Sequence, residues 1–185
     1  MPSDDARAPR ARLQLLGRGD RGGGGADVRS LEERSERGHV LRFPGTTRPL
    51  TATDWYERGC ELEDDAPAEA IDAYRRAIAA RPDHAGARLN LGRLLHLAGD
   101  PSAAEAHYRR AIDALPEDPI AWFNLGTALD DRGRDEEALA AYGRALALDP
   151  ALCDAHFNAS RVCERLGRPV DALRHLSAYR RRTRQ

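Results

Sequence analysis

From Thr51 to the end of the chain the same residue types return every 34 positions, and that period limits the fold more than any other feature. Residues 119–152 laid on 85–118 match Leu125 to Leu91, Gly126 to Gly92, Leu129 to Leu95, Ala138 to Ala104, Tyr142 to Tyr108, Ala145 to Ala111 and Pro150 to Pro116. One period on, residues 153–185 carry Cys163, Gly167, Ala172 and Leu176, with Ser160 in the glycine slot. One period back, residues 52–84 carry Trp55, Gly59, Leu62, Ala70, Tyr74, Ala77 and Pro82. That first unit is one residue short before Ala70, so its turn at Asp64-Asp65-Ala66-Pro67 is tightened. Breakers fall regularly, at Pro67, Pro82, Gly99-Asp100-Pro101, Pro116, Gly133, Pro150 and Gly167, leaving segments of helical length between them. A unit of two short helices cannot bury its apolar face alone; about three must stack, and four are present. Hydrophobic content of 41% with only 5% aromatics suits close-packed helices better than a β-sandwich.

Trp122, Leu125, Gly126, Leu129, Ala138, Tyr142, Ala145 and Pro150 fall in the order W-x2-L-G-x2-Y…A-x3-F…P. The chain therefore resembles the tetratricopeptide repeat family over residues 52–185. Leu129 takes the first Tyr slot and Tyr142 the Phe slot, while Arg88 and His156 depart from the Trp slot. The resemblance implies an all-α fold, an α-solenoid wound as a right-handed superhelix. Its four helix-turn-helix repeats are expected at about 52–84, 85–118, 119–152 and 153–185. Gly92, Gly126, Ala104 and Ala138 are expected to let paired helices approach, and Tyr108 and Tyr142 to fill the space between one pair and the next. Pro116 and Pro150 end the second helices, having no N–H to donate. Arg174, His175, Arg180, Arg181, Arg182 and Arg184 make the last helix polar and suited to capping the array itself.

A second, weaker resemblance rests on residues 54–63 and 172–181, which are similar to repeat segments that follow MerR-type winged-helix regulators in bacteria. It implies an alternative role as the accessory or dimerisation module of a transcription regulator. No winged-helix pattern precedes the array: residues 1–50 are rich in Gly, Arg and turn formers. Gly22 to Gly25 lack the preceding strand and following Lys of a phosphate-binding loop, so the segment reads as a flexible linker. Its ten Arg against seven Asp and Glu are too mixed in sign for a nucleic-acid arm. Within it, His39-Val40-Leu41-Arg42-Phe43 reads as a short strand or a docked tail.

The family's first helices line a concave groove, which directs attention to three columns. Asn90, Asn124 and Asn158 recur at the full period, and their amides suit the backbone of an extended peptide. Local structural bonding is the competing reading, and Glu57 interrupts the column in the first repeat. One residue earlier stand Tyr56, Leu89, Phe123 and Phe157, as partner anchors or as inter-repeat core. The third column is Arg93, Thr127 and Arg161, with His96, Asp130 and Glu164 one turn on. The arginines are candidates for a partner carboxylate, although Arg161 and Glu164 also have i,i+3 spacing. The Lys and Asn set by which some relatives clamp the C-terminal acid of heat-shock chaperones is not reproduced, since the chain has no Lys.

No enzyme is expected. The six histidines form no H-E-x-x-H, and Cys60, Cys153 and Cys163 include no C-x-x-C. The acidic pairs Asp64-Asp65, Asp130-Asp131 and Glu136-Glu137 read as solvated turns and helix starts. No metal or cofactor is expected, and the net charge of −1 argues against nucleic acid and membrane as partners. An Arg-only basic set marks a GC-rich, hence bacterial, coding sequence. With an odd cysteine count and no apolar run of signal length, a reducing cytoplasm is expected. The expected function is a scaffold whose groove holds an extended peptide or helix of a partner protein.

Overall fold

The computed structural model describes residues 48–183, so the segment 39–43, the glycine run and Arg184 lie outside the described residues. Eight helices follow: α1 (Ala52–Leu62), α2 (Pro67–Ala80), α3 (Ala85–Leu97), α4 (Pro101–Ala114), α5 (Pro119–Asp131), α6 (Asp135–Leu148), α7 (Cys153–Arg165) and α8 (Pro169–Arg182). Each odd helix packs on the even helix after it, and each even helix packs on the next odd one. The result is an α-solenoid. Two interlocking apolar clusters run through it, one centred on Tyr74 and Leu91, the other on Tyr108, Phe123 and Tyr142.

The turns follow from single residues. Gly99, Gly133 and Gly167 adopt φ of +90°, +69° and +69° just past α3, α5 and α7. There the residue after each glycine donates its N–H five residues back, from Asp100 to the Leu95 carbonyl, Arg134 to Leu129 and Arg168 to Cys163. This is the glycine-ended stop that satisfies the last carbonyls of a helix. The first repeat has no glycine at that point. It ends α1 after 11 residues, where α3 has 13, and closes with a bond from Ala66 N–H to the Leu62 carbonyl. The missing residue is thus a shorter helix and a different stop.

Tyrosine and glycine set the distance within each pair. A Cβ added at Gly59, Gly92 or Gly126 would lie 2.5, 2.7 or 2.7 Å from the ring of Tyr74, Tyr108 or Tyr142. All three rings are wholly buried. In the fourth repeat both partners change together: Leu176 replaces the tyrosine and Ser160 the glycine. The Trp slot also gains a reason. Trp122 donates its indole N–H to the Pro116 carbonyl at 2.8 Å, and Arg88 donates Nε–H to the Pro82 carbonyl at 2.7 Å. His156 lies within hydrogen-bonding reach of the Pro150 carbonyl. The slot selects an N–H donor that ties a first helix to the end of the preceding repeat, so Arg and His serve there as well as Trp.

The head of the array is closed by acids. Ala87, Ala121 and Ala155, then Leu94, Ala128 and Val162, are buried where each repeat meets the one before it. The first repeat carries Asp54 and Glu61 at those positions and Glu57 between them. Among the described residues no repeat covers α1, and acids suit its outer face to water.

Gly126→Ala is expected to lower stability by roughly 1–3 kcal/mol through overpacking against Tyr142. Gly143, inside α6 with no neighbour within 4 Å of an added Cβ, is the control. Gly143→Ala should raise stability by roughly 0.5–1 kcal/mol through helix propensity. Urea unfolding of both variants measures this, and equal shifts of one sign would contradict it.

Candidate peptide-binding face

The odd helices form the inner side of the solenoid. α3 touches α5 and α5 touches α7, whereas no two even helices of successive repeats come as close among the described elements. The candidate columns sit on these inner helices, but most of their side chains are buried. Leu89 and Phe123 are 2% and 0% exposed, so they belong to the core between repeats. Tyr56 and Phe157 remain half-buried; Tyr56 stacks near Tyr74 and His84, and Phe157 near Tyr179. Thr127 is buried and donates its hydroxyl to the Phe123 carbonyl at 3.1 Å.

Asn90, Asn124 and Asn158 are also buried. The neighbour of this column is the tyrosine of the preceding repeat. Asn90 donates Nδ2–H to the Tyr74 hydroxyl at 3.2 Å, and that hydroxyl donates to Glu63 Oε1 at 2.6 Å. Glu57 breaks the column in the first repeat, where no helix pair precedes it among the described residues. The amides are not all satisfied from within. Asn90 Oδ1 has no hydrogen-bond partner, and neither does either amide atom of Asn158. Asn158 lies beside the Tyr142 hydroxyl as a side-chain hydrogen-bonding neighbour, but at looser geometry than Asn90 has on Tyr74.

Charge on this face is largely spent between repeats. Arg93 pairs with Glu63 at 2.6 Å with both side chains 11% exposed. His96 Nε2 meets Asp131 at 2.7 Å, and Arg165 bridges Asp130 and Asp135. Asp130 and Asp131, expected as solvated turn acids, are therefore cross-repeat partners. The sequence signal for these links was the period itself, since each pair joins residues about one repeat apart. Arg161 differs: it forms no ion pair among the described residues, with Glu164 or otherwise, and lies within Coulombic reach of Asp130. Asn158, Phe157 and Arg161 thus place a loosely engaged buried amide, a half-buried ring and an uncommitted guanidinium on one helix, α7.

The tetratricopeptide repeat profile matches residues 63–119, 98–152 and 136–185, and the chain belongs to that family. No curated protein matches the sequence significantly. Among solved structures, a crystal structure of MamA superposes with a TM-score of 0.68 at 20% identity, covering 72% of this chain and 78% of that one. MamA 41-end from Desulfovibrio magneticus RS-1 gives 0.66 at 22%, covering 72% and 76%. The first TPR of Spaghetti (RPAP3), bound to an HSP90 peptide, gives 0.62 at 23%, covering 63% and 94%. None of the described helices is long and apolar enough to cross a membrane, and no group of three potential metal ligands occurs among the described residues.

Histidines make the array sensitive to acid. His84 caps α3 by accepting from the Ala87 N–H through Nδ1 at 3.2 Å, and burial, then Arg81, hold it below the ordinary histidine value. His156 and His175 face each other through Nδ1 at 3.1 Å, so one of those nitrogens must be unprotonated. Burial lowers both; for His156 the facing His175 and Arg182 add to it, and for His175 Asp171 opposes it. Because the folded values are depressed, the unfolded chain takes up protons first as pH falls. Stability present above the ordinary value of about 6.5 is lost as pH drops through it toward the folded values. The thermal midpoint should fall between about pH 7.5 and about pH 5, a range that brackets free histidine. His84→Asn, which keeps an N-cap acceptor without a titrating ring, should soften that fall; a fall identical to wild type would rule His84 out as a contributor.

Proposed function

We propose that the chain is a protein-interaction scaffold whose inner face holds an extended peptide or a helix of a partner protein, with its polar contacts concentrated on the fourth repeat. The observation that carries this reading is Asn158. Its amide is 1% exposed and only loosely engaged, by the Tyr142 hydroxyl, and a buried amide left short of partners costs up to roughly 1–3 kcal/mol. A peptide backbone supplies one donor and one acceptor per residue and relieves that cost after a small side-chain adjustment. Arg161, without a direct ion pair among the described residues, adds a cation one turn away, and Phe157 an apolar surface. Asn90 offers a second acceptor, and Tyr56 a ring, at the other end of the face.

Membership of the repeat family supports a protein partner, and the RPAP3 repeat bound to an HSP90 peptide supports a peptide as the kind of ligand. The reading involves no cofactor, catalysis or nucleic acid. Arg93 contributes less than its column suggests, since Glu63 already neutralises it. Phe123 is too deeply packed in the core between repeats to be an informative target, because truncating it disturbs that core.

Asn158→Ala should leave stability within about 1 kcal/mol of wild type, since no close internal hydrogen bond is lost. Asn90→Ala should cost about 1 kcal/mol by breaking the bond to Tyr74. Affinity capture from the native host, with wild type, Asn158→Ala and Arg161→Glu as baits, tests the function. The same partner retained undiminished by both variants would sink the proposal; loss from both with unchanged helicity supports it.

A further inference from the structure

The repeat frame contains two facing positions that change together. One is the Trp slot, held in turn by Trp55, Arg88, Trp122 and His156. The other stands just before the tyrosine slot and is held by Ala73, His107, Ala141 and His175. In the first and third repeats a tryptophan goes with a buried alanine. In the second, burial and then Arg88 hold His107 below the ordinary histidine value, which puts the two within Coulombic reach. In the fourth repeat both members are histidines. A tryptophan on an alanine fills space; two imidazoles place ring nitrogens there instead.

The two rings meet nitrogen to nitrogen. His156 Nδ1 on α7 and His175 Nδ1 on α8 are 3.1 Å apart, with ring centroids 5.4 Å apart and planes inclined at 48°. With Nδ1 turned to His175, His156 has Nε2 left for the Pro150 carbonyl within its reach. Donation to that carbonyl leaves Nδ1 as a lone pair, and such a backbone contact fixes the tautomer and orientation of metal-binding histidines. Metal–nitrogen bonds of about 2.0–2.1 Å hold neighbouring ligand nitrogens about 2.9–3.4 Å apart in square or tetrahedral geometry. The spacing of 3.1 Å falls within that range. Both rings are half-buried, so water can complete the coordination.

We infer that His156 and His175 chelate one divalent transition-metal ion between α7 and α8. Imidazole suits copper(II) and zinc(II). The site is an open one with two protein nitrogens, since no group of three potential protein ligands occurs among the described residues. His175 frees its Nδ1 by carrying the proton on Nε2, so the neutral pair binds the ion without net proton release. Asp171 favours a cation beside His175, whereas Arg174 there and Arg181 and Arg182 beside His156 oppose it. Strong metal–imidazole bonds must outweigh those arginines, so copper(II), which binds such ligands more strongly than zinc(II), is the preferred ion. The inference departs from the sequence-based expectation of no metal. It also stands apart from the peptide-binding reading, in which neither ring takes part.

The test uses the untagged full-length chain with zinc chloride and copper sulfate. On zinc titration the imidazole resonances of His156 and His175 should shift together and saturate at one ion per chain, while those of His84, His96 and His107 stay in place. His156→Trp/His175→Ala installs the pair found in the first and third repeats, so it should keep wild-type helicity and lose the response. His175→Gln, a single polar exchange, reads the same loss should the double variant misfold. By calorimetry each variant should weaken both ions by more than the roughly 10–100-fold that loss of an outer-shell partner costs, and wild type should bind copper more tightly than zinc. Rings that shift at different zinc concentrations, a titration that never saturates, or affinity retained in the variants would each overturn the inference.

Discussion

A tyrosine ring lying on a glycine holds each helix pair at its working distance, and the stacking of repeats is built outward from that contact. With a ring atom under 3 Å from where a Cβ would stand, no larger residue fits without displacing the ring. The hydroxyl at the far end of the ring then becomes available to the next repeat. At Tyr74 it receives the amide of Asn90 and donates to Glu63, which in turn holds Arg93 of the next repeat. At Tyr74 the ring thus couples packing within a repeat to hydrogen bonding between repeats, whereas the Tyr142 hydroxyl donates to Thr127 of its own repeat.

The three junctions use this frame differently. The first places a polar cluster of Tyr74, Glu63, Arg93 and Asn90 beside an open pocket. The second buries Glu105 against Arg109, Arg132 and Arg134. The third is apolar inside, with Arg165 and Arg168 reaching back to Asp135 and Glu136 on its surface. A buried ion pair contributes little net stability compared with well-packed apolar groups, but removing one partner is costly. A repeat shifted by one period would leave Glu105 buried without its cations. The charged sets thus specify the order of the repeats more than they strengthen the stack.

Much of the architecture was legible from local chemistry. Pro116 and Pro150 after the even helices, Gly99, Gly133 and Gly167 after the odd ones, and Asp118 as the cap of α5 act through their own backbone geometry. Their effect is visible without knowing what they touch. The candidate site was legible only as a set of columns. Asn90, Asn124 and Asn158 recur in the sequence, but recurrence cannot distinguish an amide that donates to Tyr74 from one only loosely engaged beside Tyr142. Asp130 and Asp131 looked like turn acids because their partners, Arg165 and His96, lie a full repeat away on other helices.

The sequence by itself determined the repeat length, the number of units, the helix stops and the paired substitution of Ser160 and Leu176 in the last unit. Each depends on the conformational preference or size of residues close in the chain or locked to the same period. Only the tertiary structure decided which periodic residues are buried and which charges are already paired. Those outcomes depend on what a neighbouring repeat places opposite each side chain. A 34-residue period says that two positions are equivalent; their surroundings are equivalent only if the neighbouring repeats carry the same residues, and at Asn158 and Arg161 they do not.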